Sequence, residues 1–189
     1  DPEATALAEQ VRRLGKTAGQ ILDEFAAVTA ARKVAYDAVQ QAAADVAAFR
    51  SDAGIELRDT TAFIDRLTEG SVLLGRLGAL AEQPYVDAAA VEALRVDATA
   101  LHGALAERTL EFLTRDDALR PLADEIAAAE ADAGSAATAD AAAAAGTRIG
   151  DVGQRIVVLT DVVGGLESAD APTKTGVLAA LADLLARRN

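Results

Sequence analysis

The sequence contains no cysteine, so a disulfide framework, a thiolate nucleophile and a cysteine-ligated zinc are excluded. Aromatic residues are only 3% of it although apolar residues reach 51%, so alanine carries the apolar count while leucine and valine supply the core volume. Alanine is the best helix former and lets helices lie close together, which predicts closely packed helices. Proline occurs only at Pro2, Pro84, Pro121 and Pro172, each where a helix can begin or break and the missing N–H does least harm. No run approaches the ~18 apolar residues of a membrane span; the most apolar patches, residues 156–159 and 72–74, are a helical turn or less. A soluble chain without membrane contact is expected. Apolar residues nowhere alternate with period two, so no sheet is predicted. A secretory signal and an initiator methionine are also lacking, and the chain stops at Arg187-Arg188-Asn189 after a running helical pattern, which suggests a fragment of a longer protein.

The 189 residues carry a net charge of -12, unevenly placed. Up to Arg58 there are 7 basic and 9 acidic residues, against 11 basic and 21 acidic from Asp59 onward. Nucleic acid, which needs clustered lysine and arginine to displace counterions, is therefore an unfavoured partner. Only the first helix has a charge balance that suits a phosphate backbone. Without internal low-complexity linkers, residues 1–189 read as one helical bundle.

The clearest pattern is a stripe formed by Leu7, Val11, Leu14, Ala18, Ile21, Phe25, Val28, Arg32, Ala35, Val39, Ala42, Val46 and Phe49. Its steps of alternately four and three residues mark a heptad seam. Eleven Leu, Ile, Val or Phe residues lie between Leu7 and Phe49, and nine of them fall on these thirteen positions; only Leu22 and Val34 fall elsewhere. Random placement would put about a third there, so the stripe predicts one helix over residues 3–49 whose seam is buried against other helices. At 1.5 Å per residue it is about 70 Å long, too long for one short partner.

A turn is expected at residues 51–54, followed by a helix over 59–81 with Phe63, Leu67, Leu74, Leu77 and Ala81 inward. Pro84 breaks it. Asp87 suits the N-cap of a third helix ending near Thr114, with Val91, Leu94, Ala98, Leu101, Leu105 and Phe112 as its inner stripe. A shorter helix over 117–133 presents Leu119, Leu122, Ile126 and Ala129, and Gly134-Ser135 closes it. A fifth runs over 138–163 with Ile149, Val152, Ile156, Leu159 and Val163 inward. Gly164-Gly165 gives that helix a natural stop, because glycine takes the left-handed conformation common after a helix end. Asp170 or Thr173 caps a last helix with Val177, Leu178, Leu181, Leu184 and Leu185 on one face. The fold class expected is an all-α, elongated bundle or coiled coil of about six helices, the first very long.

Residues with chemical potential are few. Gly15-Lys16-Thr17 matches the end of a phosphate-binding P-loop, but Gln10 stands where its first glycine is required and the tripeptide lies inside a helix rather than after a strand. It reads as a solvent-facing turn. The lone histidine, His102, cannot supply the paired Glu-x-x-His of a di-metal bundle, and Thr99 occupies the position three residues before it. It reads as a surface or boundary residue. Glu107 with Glu111, and Asp65 with Glu69, lie one helical turn apart as paired carboxylates can, but such pairs arise on any solvated helical face of a chain that is 25% charged. Arg32 interrupts the seam at a position expected to be buried, either fixing register and partner choice or contacting a ligand. Gly15 and Gly19, and likewise Gly146 and Gly150, place two glycines on one helix face at about 1 kcal/mol each relative to alanine, a cost expected to be offset by a close neighbouring helix. No catalytic, metal-binding or cofactor-binding residue is assigned, and no cofactor is expected.

The segment Leu159-Thr160-Asp161-Val162-Val163-Gly164-Gly165-Leu166, with Asp170-Ala171-Pro172-Thr173-Lys174-Thr175-Gly176-Val177-Leu178 and the final leucine-rich helix, resembles the helical region of large bacterial proteins called DNA repair ATPases. These look like AAA-type ATPases with long helical and coiled-coil extensions. The resemblance covers about a sixth of the chain; nothing matches the ATPase core, and no catalytic residue is carried over. It implies an accessory, non-enzymatic helical segment in the bacterial cytoplasm. Such a segment acts as spacer, oligomerisation or docking surface, with a partner protein, another copy or the remainder of its own chain as its counterpart. A free-standing adaptor that binds a partner's helix in a groove and a small-ligand bundle with a buried pocket are the alternatives.

Overall fold

A computed structural model of the chain describes residues 2–53, 57–167 and 170–187, and the side chains of α1 over residues 9–51. Six helices follow one another: α1 (Pro2–Ala53), α2 (Thr60–Ala81), α3 (Ala88–Leu113), α4 (Arg120–Gly134), α5 (Ala139–Gly165) and α6 (Ala171–Arg187). Among the described residues there is no strand. The protein is all-α, with a very long first helix, as its periodicity predicts.

Helix starts follow capping chemistry. Asp59 accepts from Ala62 N at 2.8 Å, and Asp87 from Ala89 N and Ala90 N at 3.1 Å each. Thr138 accepts from Ala141 N at 3.2 Å and Asp170 from Thr173 N at 3.1 Å, so Asp170 rather than Thr173 caps α6. Each satisfies an orphan N–H and is worth about 1 kcal/mol. The fourth helix lacks a side-chain cap and begins at Arg120, three residues later than expected, with Pro121 in its first turn.

Two helix ends differ from expectation. Residues 51–53 continue α1 instead of turning, and Gly54 lies outside the described residues. No described glycine has a positive φ; Gly164 and Gly165 complete α5, which stops at Leu166 in extended conformation. The end of α5 is held by Lys174, whose ammonium donates to Gly164 O and Leu166 O at 2.7 Å each. A cation at the negative end of the helix dipole does there what a left-handed glycine does elsewhere.

The helices α2 and α3 form one tight antiparallel pair and α4 with α5 another; α6 lies on α5 and α3, and α5 also touches α2 and α3. The largest fully buried side chains are Leu67 and Leu77 of α2, Leu105 of α3, Leu122 of α4, Ile156 and Leu159 of α5 and Leu181 of α6. The rings of Phe63 and Phe112 meet at 4.9 Å between α2 and α3. Ala81, expected inward, is exposed, whereas Ile64, Leu73 and Leu80 are buried. Arg148 pairs with Asp132 and Arg155 with Glu125 across α4 and α5.

Only the last third of α1 joins this body. Ala35, Val39, Val46 and Phe49 are buried against α3 and α2, and Arg50 pairs with Asp97 of α3 at 2.6 Å. Because Phe49 touches Gly70 in mid-α2 while Arg32 lies over Tyr85 in the α2–α3 turn, α1 runs antiparallel to α2 and its N-terminal part projects past that turn. The expectation of a fully buried seam is therefore corrected. At 52 residues α1 is twice the length of α3, with 26, and more than twice that of α2, with 22, so neither reaches its upper half.

Candidate functional site

The seam of α1 divides at Arg32. Below it, Val46 is 2% exposed; above it, Leu14 is 70% and Phe25 71% exposed, and Val11 and Ile21 are equally uncovered. Leu22, one position off the seam, widens the same face. Leu7, the first seam position, lies outside the residues whose side chains are described. From residue 9 to 27 every residue but Gly19 is exposed, and Val28 is half-buried as α1 approaches the body. Five large aliphatic or aromatic side chains in one stripe form a contiguous apolar face of the kind that marks an interaction surface. Each would gain roughly 1.5–3 kcal/mol on full burial, so covering them offers on the order of 10 kcal/mol before association costs.

Little within the chain supports this arm. Arg13 pairs with Glu9 at 3.3 Å with both side chains exposed, a contact of small value in water. Thr29 donates back to Phe25 O at 2.8 Å. A Cβ built on Gly15 or Gly19 meets nothing within 4 Å, and the same holds for Gly146 and Gly150. Among the described residues, none supplies the close neighbouring helix expected to offset these glycines. The close approach occurs instead at Gly70, where a Cβ would lie 2.6 Å from His102 Cδ2 and 2.8 Å from Phe49 Cζ.

The other residues of chemical interest are dispersed. Gly15, Lys16 and Thr17 form one exposed turn of α1. Half-buried His102 places Nε2 at 3.2 Å from Leu67 O and 3.3 Å from Ser71 Oγ. Since the carbonyl only accepts, Nε2 carries the hydrogen and ties α3 to α2. Asp65 and Glu69 are exposed, with Glu69 accepting from Arg66. Glu107 and Glu111 are also exposed. Arg32, expected in a buried seam position, is exposed with its guanidinium 5.9 Å from the centroid of Tyr85. On α3, the Arg95 guanidinium bonded to Glu92 holds that carboxyl below the usual carboxylate range, and Arg95 is itself raised.

Two grooves of about 400 and 350 Å³ lie between α1 and α2, where Asp45, Leu73 and Arg76 line both. A cleft of about 380 Å³ gathers Arg58, Arg108 and Arg115 beside Phe63 and Phe112, with Glu111 at its edge. Arg115 stacks on Phe112 at 5.1 Å. Among the described residues, no group of three or more His, Asp or Glu side chains is placed to hold a metal ion, and no helix is long and apolar enough to cross a membrane.

Residues 117–189, from just before α4 through α6, match the model of a family described as a domain of unknown function (DUF7902). The match excludes α1, α2 and α3. No curated protein and no solved structure matches the chain.

Proposed function

We propose that this chain is a non-catalytic helical module for docking or oligomerisation, with its six-helix body as the mount and the N-terminal part of α1 as the contact element. The observation that carries the reading is the uncovered stripe of Val11, Leu14, Ile21, Leu22 and Phe25 on a helix that elsewhere buries the same seam. Heptad stripes pair with other helices through knobs-into-holes packing, which favours a helix supplied by a protein as the counterpart. The net charge of -12 disfavours nucleic acid in that role. The resemblance around residues 159–166 and 170–178 supports placing the module in a larger bacterial cytoplasmic protein that also carries an AAA-type ATPase.

The test is Leu14→Asp together with Phe25→Asp in the native protein, expressed in its own cells. The expected result is a smaller assembly on gel filtration of the lysate, with the thermal melt of the purified chain's body unchanged. An assembly of unaltered size would sink the reading.

A further inference from the structure

We infer that the occupant of the uncovered stripe is the same stripe on a second copy of this chain, running in the opposite direction. This rests on the docking reading above and adds the partner's identity and orientation.

Place two arms antiparallel so that Ala18 of one is level with Ile21 of the other. Leu14 then faces Phe25 and Val11 faces Val28, and every layer repeats about the two-fold axis, so the layers from Val11 to Val28 hold no polar residue and Arg32 meets only Leu7, at the rim. The flanks are complementary in size. Gly15 and Leu22 occupy equivalent flanking positions one heptad apart, and the antiparallel register sets Leu22 of one copy over Gly15 of the other, where a Cβ now meets nothing within 4 Å. They are also complementary in charge. Arg13, exposed beside Glu9, comes within side-chain reach of Glu24 on the second copy, and the symmetry makes this contact twice.

Over residues 9–30 the two arms pair without reaching the body. Glu9 of one copy comes level with Ala30 of the other, a turn short of Ala35, where α2 and α3 take over the seam. A parallel pair fares worse on both counts: it sets Arg32 against Arg32, like charges facing, and brings two bodies to the same end of the arms. The area suffices, since ten large side chains at roughly 100 Å² each, with their polar flanks, reach the ~1,200 Å² of the smaller stable interfaces.

The chain has no cysteine, so Ala18→Cys and Val11→Cys each introduce a single thiol. Sedimentation equilibrium of the 189-residue chain should give a dimer that Phe25→Asp converts to a monomer. A bismaleimide spanning about 10 Å should join the copies through Ala18→Cys, near the two-fold axis. It should not join them through Val11→Cys, whose counterpart lies about 25 Å away along the helix at 1.5 Å per residue. Glu24→Arg should weaken the dimer at least threefold, and adding Arg13→Glu should restore it. Cross-linking through Val11→Cys, a monomer at 100 μM, a dimer indifferent to Phe25→Asp, or binding to anionic vesicles in place of self-association overturns the proposal. The first, second and fourth results leave docking by the arm standing, to be decided by the native assembly; the third removes the arm from both.

Discussion

The guanidinium of Arg32 sits 5.9 Å from the centroid of the Tyr85 ring, joining the point where α1 leaves the body to the turn between α2 and α3. Tyr85 holds a left-handed backbone with φ 65, which costs an L-residue about 1–2 kcal/mol. Arg32 stands at a seam position expected to be buried, but it is exposed and incurs no desolvation cost. A double-mutant cycle over Arg32→Ala and Tyr85→Ala should instead return a coupling of about 0.5–1 kcal/mol in urea unfolding. Tyr85→Gly should cost less than Tyr85→Ala, since only glycine relieves the backbone. Zero coupling would show that the ring and the guanidinium are mere neighbours.

Glycines on α2 should respond to alanine with opposite signs. At Gly75 and Gly78 a Cβ meets nothing within 4 Å, so each substitution should stabilise by up to about 1 kcal/mol through helix propensity. At Gly70 the Cβ would press on His102 and on the ring of Phe49, and Gly70→Ala should destabilise by about 1–3 kcal/mol. Adding Phe49→Leu should recover part of that loss. Thermal melts of the four variants decide it; a neutral Gly70→Ala would mean that the three helices part without cost.

Lys174→Met should lower stability by about 1–2 kcal/mol, because two carbonyls at the end of α5 lose their donor. Hydrogen exchange should quicken in the last turn of α5 and the first of α6, ahead of the rest of both helices. Uniform exchange across α5 would argue that the lysine is incidental.

The Glu92–Arg95 pair sets a small acid dependence. The carboxyl is lowered in the folded chain, so whatever the pair contributes is present above the unfolded carboxylate range and fades as pH falls through the folded value. A carboxyl titration by NMR should show Glu92 titrating below the ordinary glutamate range, and Arg95→Gln should bring it back to that range. No movement on that substitution would refute the assignment.

Periodicity and capping made the helices legible. Asp59, Asp87 and Thr138 are caps because their short oxygens suit orphan amides, and Val152, Ile156, Leu159 and Val163 are buried as their spacing predicts. What spacing cannot convey is which neighbour covers a face. Leu14 and Val46 belong to one seam and have the same sequence signature, yet only Val46 has α2 and α3 beside it. The end of α5 escapes spacing for a related reason: it is closed by the cation of Lys174, in the next helix, rather than by the two glycines at hand. His102 is the boundary residue its isolation suggests, but its role in joining α3 to α2 depends on Leu67, 35 residues away.

The single unbroken run of α1 from Pro2 to Ala53 gives the molecule a mechanical property. With its foot wedged against α2 and α3, the free section is a beam roughly 40 Å long at 1.5 Å per residue. A rocking of only 5° about Arg32 and Tyr85 moves its tip by about 3.5 Å, more than half the pitch of a helix turn. A slight repacking in the body is thereby magnified at the far end, and a pull on the far end is delivered to the pivot at the α2–α3 turn.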